Sequence, residues 1–210
     1  MGRLTSTLVI GLLLAVCQTA TPPTPSPLPS PSPHTPPTAS ILQSGDVPAG
    51  LVVCLGSGPI DVYVTSLARS DATLAARVAS QWEALRSQGA HDGAISLFTA
   101  GRPACTAELA ATSGVKAITS FVAVFTDPGE ADRAWESGVF GFIPPAPGEL
   151  PPGISRGTAT GLGLSSWTAD RAPVRLACWH KSLFVALVVA TNLDMTTFKS
   201  ATAAVDARLN

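Results

Sequence analysis

The sequence predicts an α+β domain, a mainly antiparallel sheet with two or three helices packed on it. Three observations carry that expectation. Val174 to Thr191, V-R-L-A-C-W-H-K-S-L-F-V-A-L-V-V-A-T, reads as two strands joined by a tight turn at His180 to Ser182, so they pair antiparallel. The second of them is apolar on both faces and must be covered on both, which puts it near the middle of the sheet. Helical periodicities and β-branched runs alternate along the rest of the chain.

Taken in order, Leu51 to Leu55 is a short apolar strand or extended entry, closed by the turn Gly56-Ser57-Gly58-Pro59. Ile60 to Ser66 alternates and is β-branched, which reads as a strand. Ser70 or Asp71 then caps a helix running to about Gln88, with Leu74, Val78, Trp82 and Leu85 on one face and Gly89 ending it. Ala94 to Thr99 is a strand after the Asp92-Gly93 turn, and Thr106 to Ala111 has the composition of a short helix. Lys116 to Thr126 is a strong strand. Asp127-Pro128-Gly129-Glu130 opens the next helix with an N-cap acid and Pro at the first helical position. Ala131, Ala134 and Trp135 mark its buried face, and Gly138 stops it.

Val139 to Ser155 holds five prolines and no periodicity, the pattern of a long functional or mobile loop. Thr158 to Trp167 reads as a Gly-containing strand ahead of the hairpin. Asp194 caps a last helix in which Met195, Phe198, Ala201, Val205 and Leu209 share a face. A faint internal echo, Trp82-Glu83 and Trp135-Glu136 in corresponding helices, suggests two split β-α-β (ferredoxin-like) units.

Composition narrows the class. Net charge is −1 from 13 basic and 14 acidic residues, and no stretch concentrates Lys or Arg, so nucleic acid is not an expected partner. The charged fraction of 13% is low against the roughly 25% usual for a soluble domain, which suits a protein held at a surface.

The N-terminus supplies that surface. Leu8 to Val16 is an uncharged apolar run behind Arg3, of a length suited to a secretory signal and short for a membrane span. Its end, Leu14-Ala15-Val16-Cys17, resembles the lipobox of bacterial lipoproteins, although Val16 stands where a small residue is usual. That resemblance covers four residues and implies that Cys17 carries a lipid and anchors the chain to a membrane; the wider layout of residues 8 to 39 resembles bacterial exported lipoproteins that carry a small domain on a Pro/Ser/Thr stalk. Ordinary cleavage after Cys17 and an uncleaved anchor are the alternatives.

Residues 18–39 form a Pro/Ser/Thr-rich stalk, an extended solvated tether with a reach on the order of 60 Å. The layout is thus an export segment (1–17), a stalk (18–39) and one globular domain (40–210), exported to the extracytoplasmic membrane surface.

In such a compartment Cys54, Cys105 and Cys178 should give one disulfide and one thiol. Cys54 and Cys105 each sit beside a Gly/Pro turn and are the expected pair, while Cys178 lies inside a strand as a small apolar side chain. Catalytic chemistry has little to stand on. Cys178 and His180 face the same way on one strand, yet a core Cys and an edge His satisfy that spacing too. No metal-ligand spacing, phosphate cradle or other cofactor motif is present, so none is expected, and the acids sit mostly at helix caps.

Four tryptophans in a chain with a single tyrosine are the most suggestive feature. Core packing is one reading of Trp82 and Trp135. The other is an apolar cleft between sheet and helices, lined by Trp82, Trp135 and Trp167 and gated by the Pro-rich loop. The sequence therefore suggests an envelope-tethered binding or sensing module for a small apolar ligand or a protein partner. An envelope hydrolase and a structural partner-binding protein are the alternatives.

Overall fold

The computed structural model describes residues 35–101, 105, 114–148 and 150–209. The signal-like segment with Cys17, most of the stalk, and the expected short helix at Thr106 to Ala111 lie outside the described residues.

The domain is an eight-stranded antiparallel sheet with helices on both faces, the expected α+β architecture. In chain order the elements are α1 (Pro37–Ser40), β1 (Val52–Val53), β2 (Gly58–Pro59), α2 (Ile60–Leu67), α3 (Ala72–Arg86), β3 (Ala90–Thr99) and β4 (Ala117–Phe125). They continue with α4 (Pro128–Ser137), β5 (Ile154–Arg156), β6 (Ser166–Arg171), β7 (Val174–Lys181), β8 (Phe184–Thr191) and α5 (Met195–Asp206). The strand order is β1-β3-β4-β8-β7-β6-β5, with β2 also pairing β3.

All eight residues of β8 are buried, and its alternation divides the core in two. Val185, Leu187 and Val189 face a cluster with Leu74, Val78 and Trp82 of α3 and Ala131, Ala134 and Trp135 of α4. Phe184, Ala186, Val188 and Ala190 face Ile41 and Leu42, together with Phe198, Ala201 and Val205 of α5. Each side chain leaves water at about 25 cal/mol per Å² of apolar area, so this strand anchors both layers.

The helix starts match their caps. The Asp71 carboxylate accepts from the Leu74 N–H, Asp127 from the N–H groups of Gly129 and Glu130, and Asp194 from the Thr197 N–H. Those bonds hold the Asp194 carboxyl below the usual carboxylate range. Gly93 is required where α3 crosses β3, because a Cβ there would lie 2.9 Å from the Trp82 ring.

Parallel to each other and separated by β8, strands β4 and β7 have α4 on the connection between them. This is a split strand–helix–strand unit with the β5–β6 hairpin spliced into its return. In the first half, α2 and α3 link β2 to its direct antiparallel neighbour β3.

Four sequence expectations change, the first at Asp92-Gly93, which is not a turn but part of β3, paired with Val124 and Ala123 of β4 after a bulge. Ile60 to Ser66 is helix α2, not a strand: Ile60, Tyr63 and Leu67 are its buried residues, at helical spacings of three and four. Of the strand expected at Thr158 to Trp167, only Ser166 and Trp167 pair, as the start of β6; Gly157–Thr160 is a 3-10 turn. Residues 37–39, read as stalk, belong to α1, with Pro37 and Ser40 buried, so the fold begins before residue 40. The segment after α1 is clasped to the C-terminal end by a two-pronged ion pair, Arg208 Nη1 and Nη2 each 2.7 Å from an Asp46 oxygen. The guanidinium holds the Asp46 carboxyl below its ordinary value.

Candidate functional site

The three tryptophans proposed to line a cleft are core residues here: Trp82, Trp135 and Trp167 are 5%, 1% and 7% exposed. Trp82 meets Phe121 edge-on, and the Trp135 indole N–H donates to the Cys178 carbonyl at 3.3 Å. The Pro-rich loop reaches into the same layer. Val139 is buried, Phe140 packs edge-on against Phe121 at 4.6 Å between ring centroids, and Val139 and Phe142 close a small bridge. Arg156 pins the loop: it donates to the Pro145 carbonyl, pairs with Glu136 at 2.9 Å and stacks on Trp135. The α4 helix thus packs directly on the sheet, and the loop's Phe140 and Phe142, both partly buried, pack against the same cluster.

Cys178 and His180 do share a face, and neither is set up for nucleophilic chemistry. Burial pushes the Cys178 thiol far up, so the thiolate is suppressed. His180 Nδ1 lies 3.4 Å from Asp132 Oδ1, and Nε2 lies 2.6 Å from the Ser182 carbonyl. The nearby Ser165 hydroxyl donates to Asp132 rather than to the ring. A triad needs a ring nitrogen free to take the serine proton, and here both nitrogens face other acceptors. Among the described residues no group of three or more His, Cys, Asp or Glu could hold a metal ion.

One edge of the sheet is built differently. The Cys54–Cys105 disulfide ties the residue after β1 to the segment that follows β3, as the cysteine positions suggested. Beside it, Gly56 lies against α2 with φ +85°, where a Cβ would sit 2.5 Å from that of Ser66. Only glycine lets the turn approach the helix so closely in this conformation.

Two adjoining hollows of about 490 and 300 Å³ run along the junction, sharing Leu55, Ser66 and Arg69. Apolar side chains lining the outer one are left in water, Leu55 at 77% and Val62 at 54% exposed, and Val52 and Val53 of the neighbouring edge strand β1 are 41% and 48% exposed. Tyr63 lines the inner hollow, and burial pushes its phenol up to about 12, so it stays protonated. Asp61 and Arg69 flank the outer hollow with opposite charges.

Sequence reasoning missed this surface because it placed α2 in a strand. The available signal was the stripe Asp61, Thr65, Arg69 at helical spacing. A third hollow of about 550 Å³, at the strand ends near Lys116 and Asn192, is more polar, and its carboxylate, Asp194, is already engaged as the α5 cap.

No helix among the described residues is long and apolar enough to cross a membrane. No protein-family model, no curated protein and no solved structure matches this chain.

Proposed function

We propose that the chain is an extracytoplasmic domain tethered to the cell envelope by its N-terminal segment, and that it acts by binding at the α2 and β1 edge. The observation that carries the reading is the Cys54–Cys105 disulfide, which forms and persists in oxidising compartments. It agrees with the apolar run before Cys17 and with the stalk that follows. A contact role is supported by exposed Leu55 and Val62 lining one hollow at the sheet edge, since exposed apolar residues that cluster mark interaction sites. The engaged nitrogens of His180 and the suppressed Cys178 thiolate favour binding over catalysis.

Cysteine counting in the host cell tests the compartment. Acid-trapped cells are denatured without reductant and treated with a maleimide that adds a fixed mass per free thiol. The chain has 4 cysteines. One adduct, on Cys178, is expected if Cys54–Cys105 is oxidised and Cys17 is lipidated or removed. Two adducts would keep export and reject the lipid. Four would place the protein in a reducing compartment and overturn the reading.

A further inference from the structure

We propose that the α2 surface docks against the same surface of a second copy of this chain, as an antiparallel two-fold pair centred on Thr65. This names a partner for the contact surface proposed above and rests on that reading. Asp61, Thr65 and Arg69 are exposed and four residues apart, and the helical geometry continues through the C-cap Ala68, so they form one stripe. Asp61 and Arg69 are equidistant from Thr65. When α2 meets its copy antiparallel about that residue, each Asp61 falls opposite the other copy's Arg69.

The same operation sets Val62 opposite the copy's Ala68, a large apolar side chain against a small one, both exposed. Neither Asp61 nor Arg69 makes an ion pair among the described residues. The stripe is therefore self-complementary in charge and shape, which a two-fold interface requires because one patch must serve both sides. Leu55, which lines the same hollow as Val62, extends the apolar area beyond the helix. A helix of this length, with that flank, gives an interface of the small, transient class. Holding both copies on one membrane raises their effective concentration and favours such a weak contact.

Charge reversal tests the pairing. The full chain, solubilised in mild detergent, is followed by sedimentation velocity at about 1 to 100 µM for the wild type, Asp61→Arg, Arg69→Asp and the double variant. A concentration-dependent dimer is expected for the wild type. Each single reversal faces like charges across the axis and should raise the dissociation constant about tenfold or more, and the double variant should return to near the wild-type value. In parallel, Thr65→Cys should cross-link to its copy under oxidising conditions, whereas Lys199→Cys on α5 should not.

A wild type that stays monomeric, or a dimer indifferent to either single reversal, overturns the two-fold pair. The contact surface is tested apart from it: a photo-cross-link from Val62 to a different protein would leave the binding reading standing and reject self-association.

Discussion

Two flanks of one sheet face, the α4 flank and the α2 edge, solve the same covering problem differently. On the α4 flank the Pro-rich loop folds back, packs buried Val139 and partly buried Phe140 and Phe142 against the core cluster, and is held by Arg156. At the α2 edge the strands β1 and β2 have two residues each, and the disulfide holds the turn in place. Among the described residues no further layer covers Leu55 or Val62 there. Chain length and proline content pointed to the first flank as the functional one, but coverage points to the second. An irregular loop whose partly buried aromatic residues pack on the core helps to cover it, and a short regular helix with apolar residues in water is surface awaiting contact.

The largest effect should come from the closed flank. Trp135→Ala removes a ring that is 1% exposed and should cost about 3–5 kcal/mol, read as a lower midpoint in urea unfolding. A variant that keeps its stability while losing a bound ligand would instead restore a cleft beneath α4. Replacing both Cys54 and Cys105 by Ala should cost about 2–4 kcal/mol. Amide exchange should then accelerate in residues 52–67 before it does in α4. Uniform acceleration would mean that the two flanks do not open separately.

A smaller effect is expected on the opposite sheet face, where Arg208 lowers the Asp46 value. A carboxyl held low in the folded state contributes stability above its unfolded range, near 4, and loses it as pH falls through the folded value. Asp46→Asn should therefore cost on the order of 1–2 kcal/mol at pH 7 and converge with the wild type in acid. A constant difference between the two across pH 2 to 7 would remove the ion pair from the account. The smallest stability effect belongs to Val62→Glu, expected within about 0.5 kcal/mol because the side chain is already in water. The same change should abolish contact at the α2 edge, so thermal melting and cross-linking must separate for this variant.

Much of the fold was legible in the sequence because local signals agreed with the global arrangement. Asp71, Asp127 and Asp194 marked the helix starts, Gly138 the stop of α4, and the two-faced apolar run of β8 the middle of the sheet. The failures have physical causes. In I-D-V-Y-V-T-S the β-branched residues at 60, 62 and 64 imitate period two, but burial selects Ile60, Tyr63 and Leu67, and a preference of a few tenths of a kcal/mol yields to that packing.

Around Gly157, Gly161 and Gly163 the glycines take positive φ and break the chain into turns rather than extending it. The contact surface was least legible. Exposure of Leu55 depends on which distant segment fails to cover it, and neither composition nor periodicity records that. The Asp132–His180 contact is equally silent, since it joins α4 to β7.

The central claim is that contact is made at the α2 edge and not at the closed flank. It is tested most directly by placing one photo-cross-linking residue at Val62 and, in a separate strain, at Ile143, which is also exposed but lies on the α4 flank. After irradiation of intact cells, the account predicts a discrete cross-linked species from position 62 and none from position 143. Cross-linking from position 143 with silence at position 62 would contradict it.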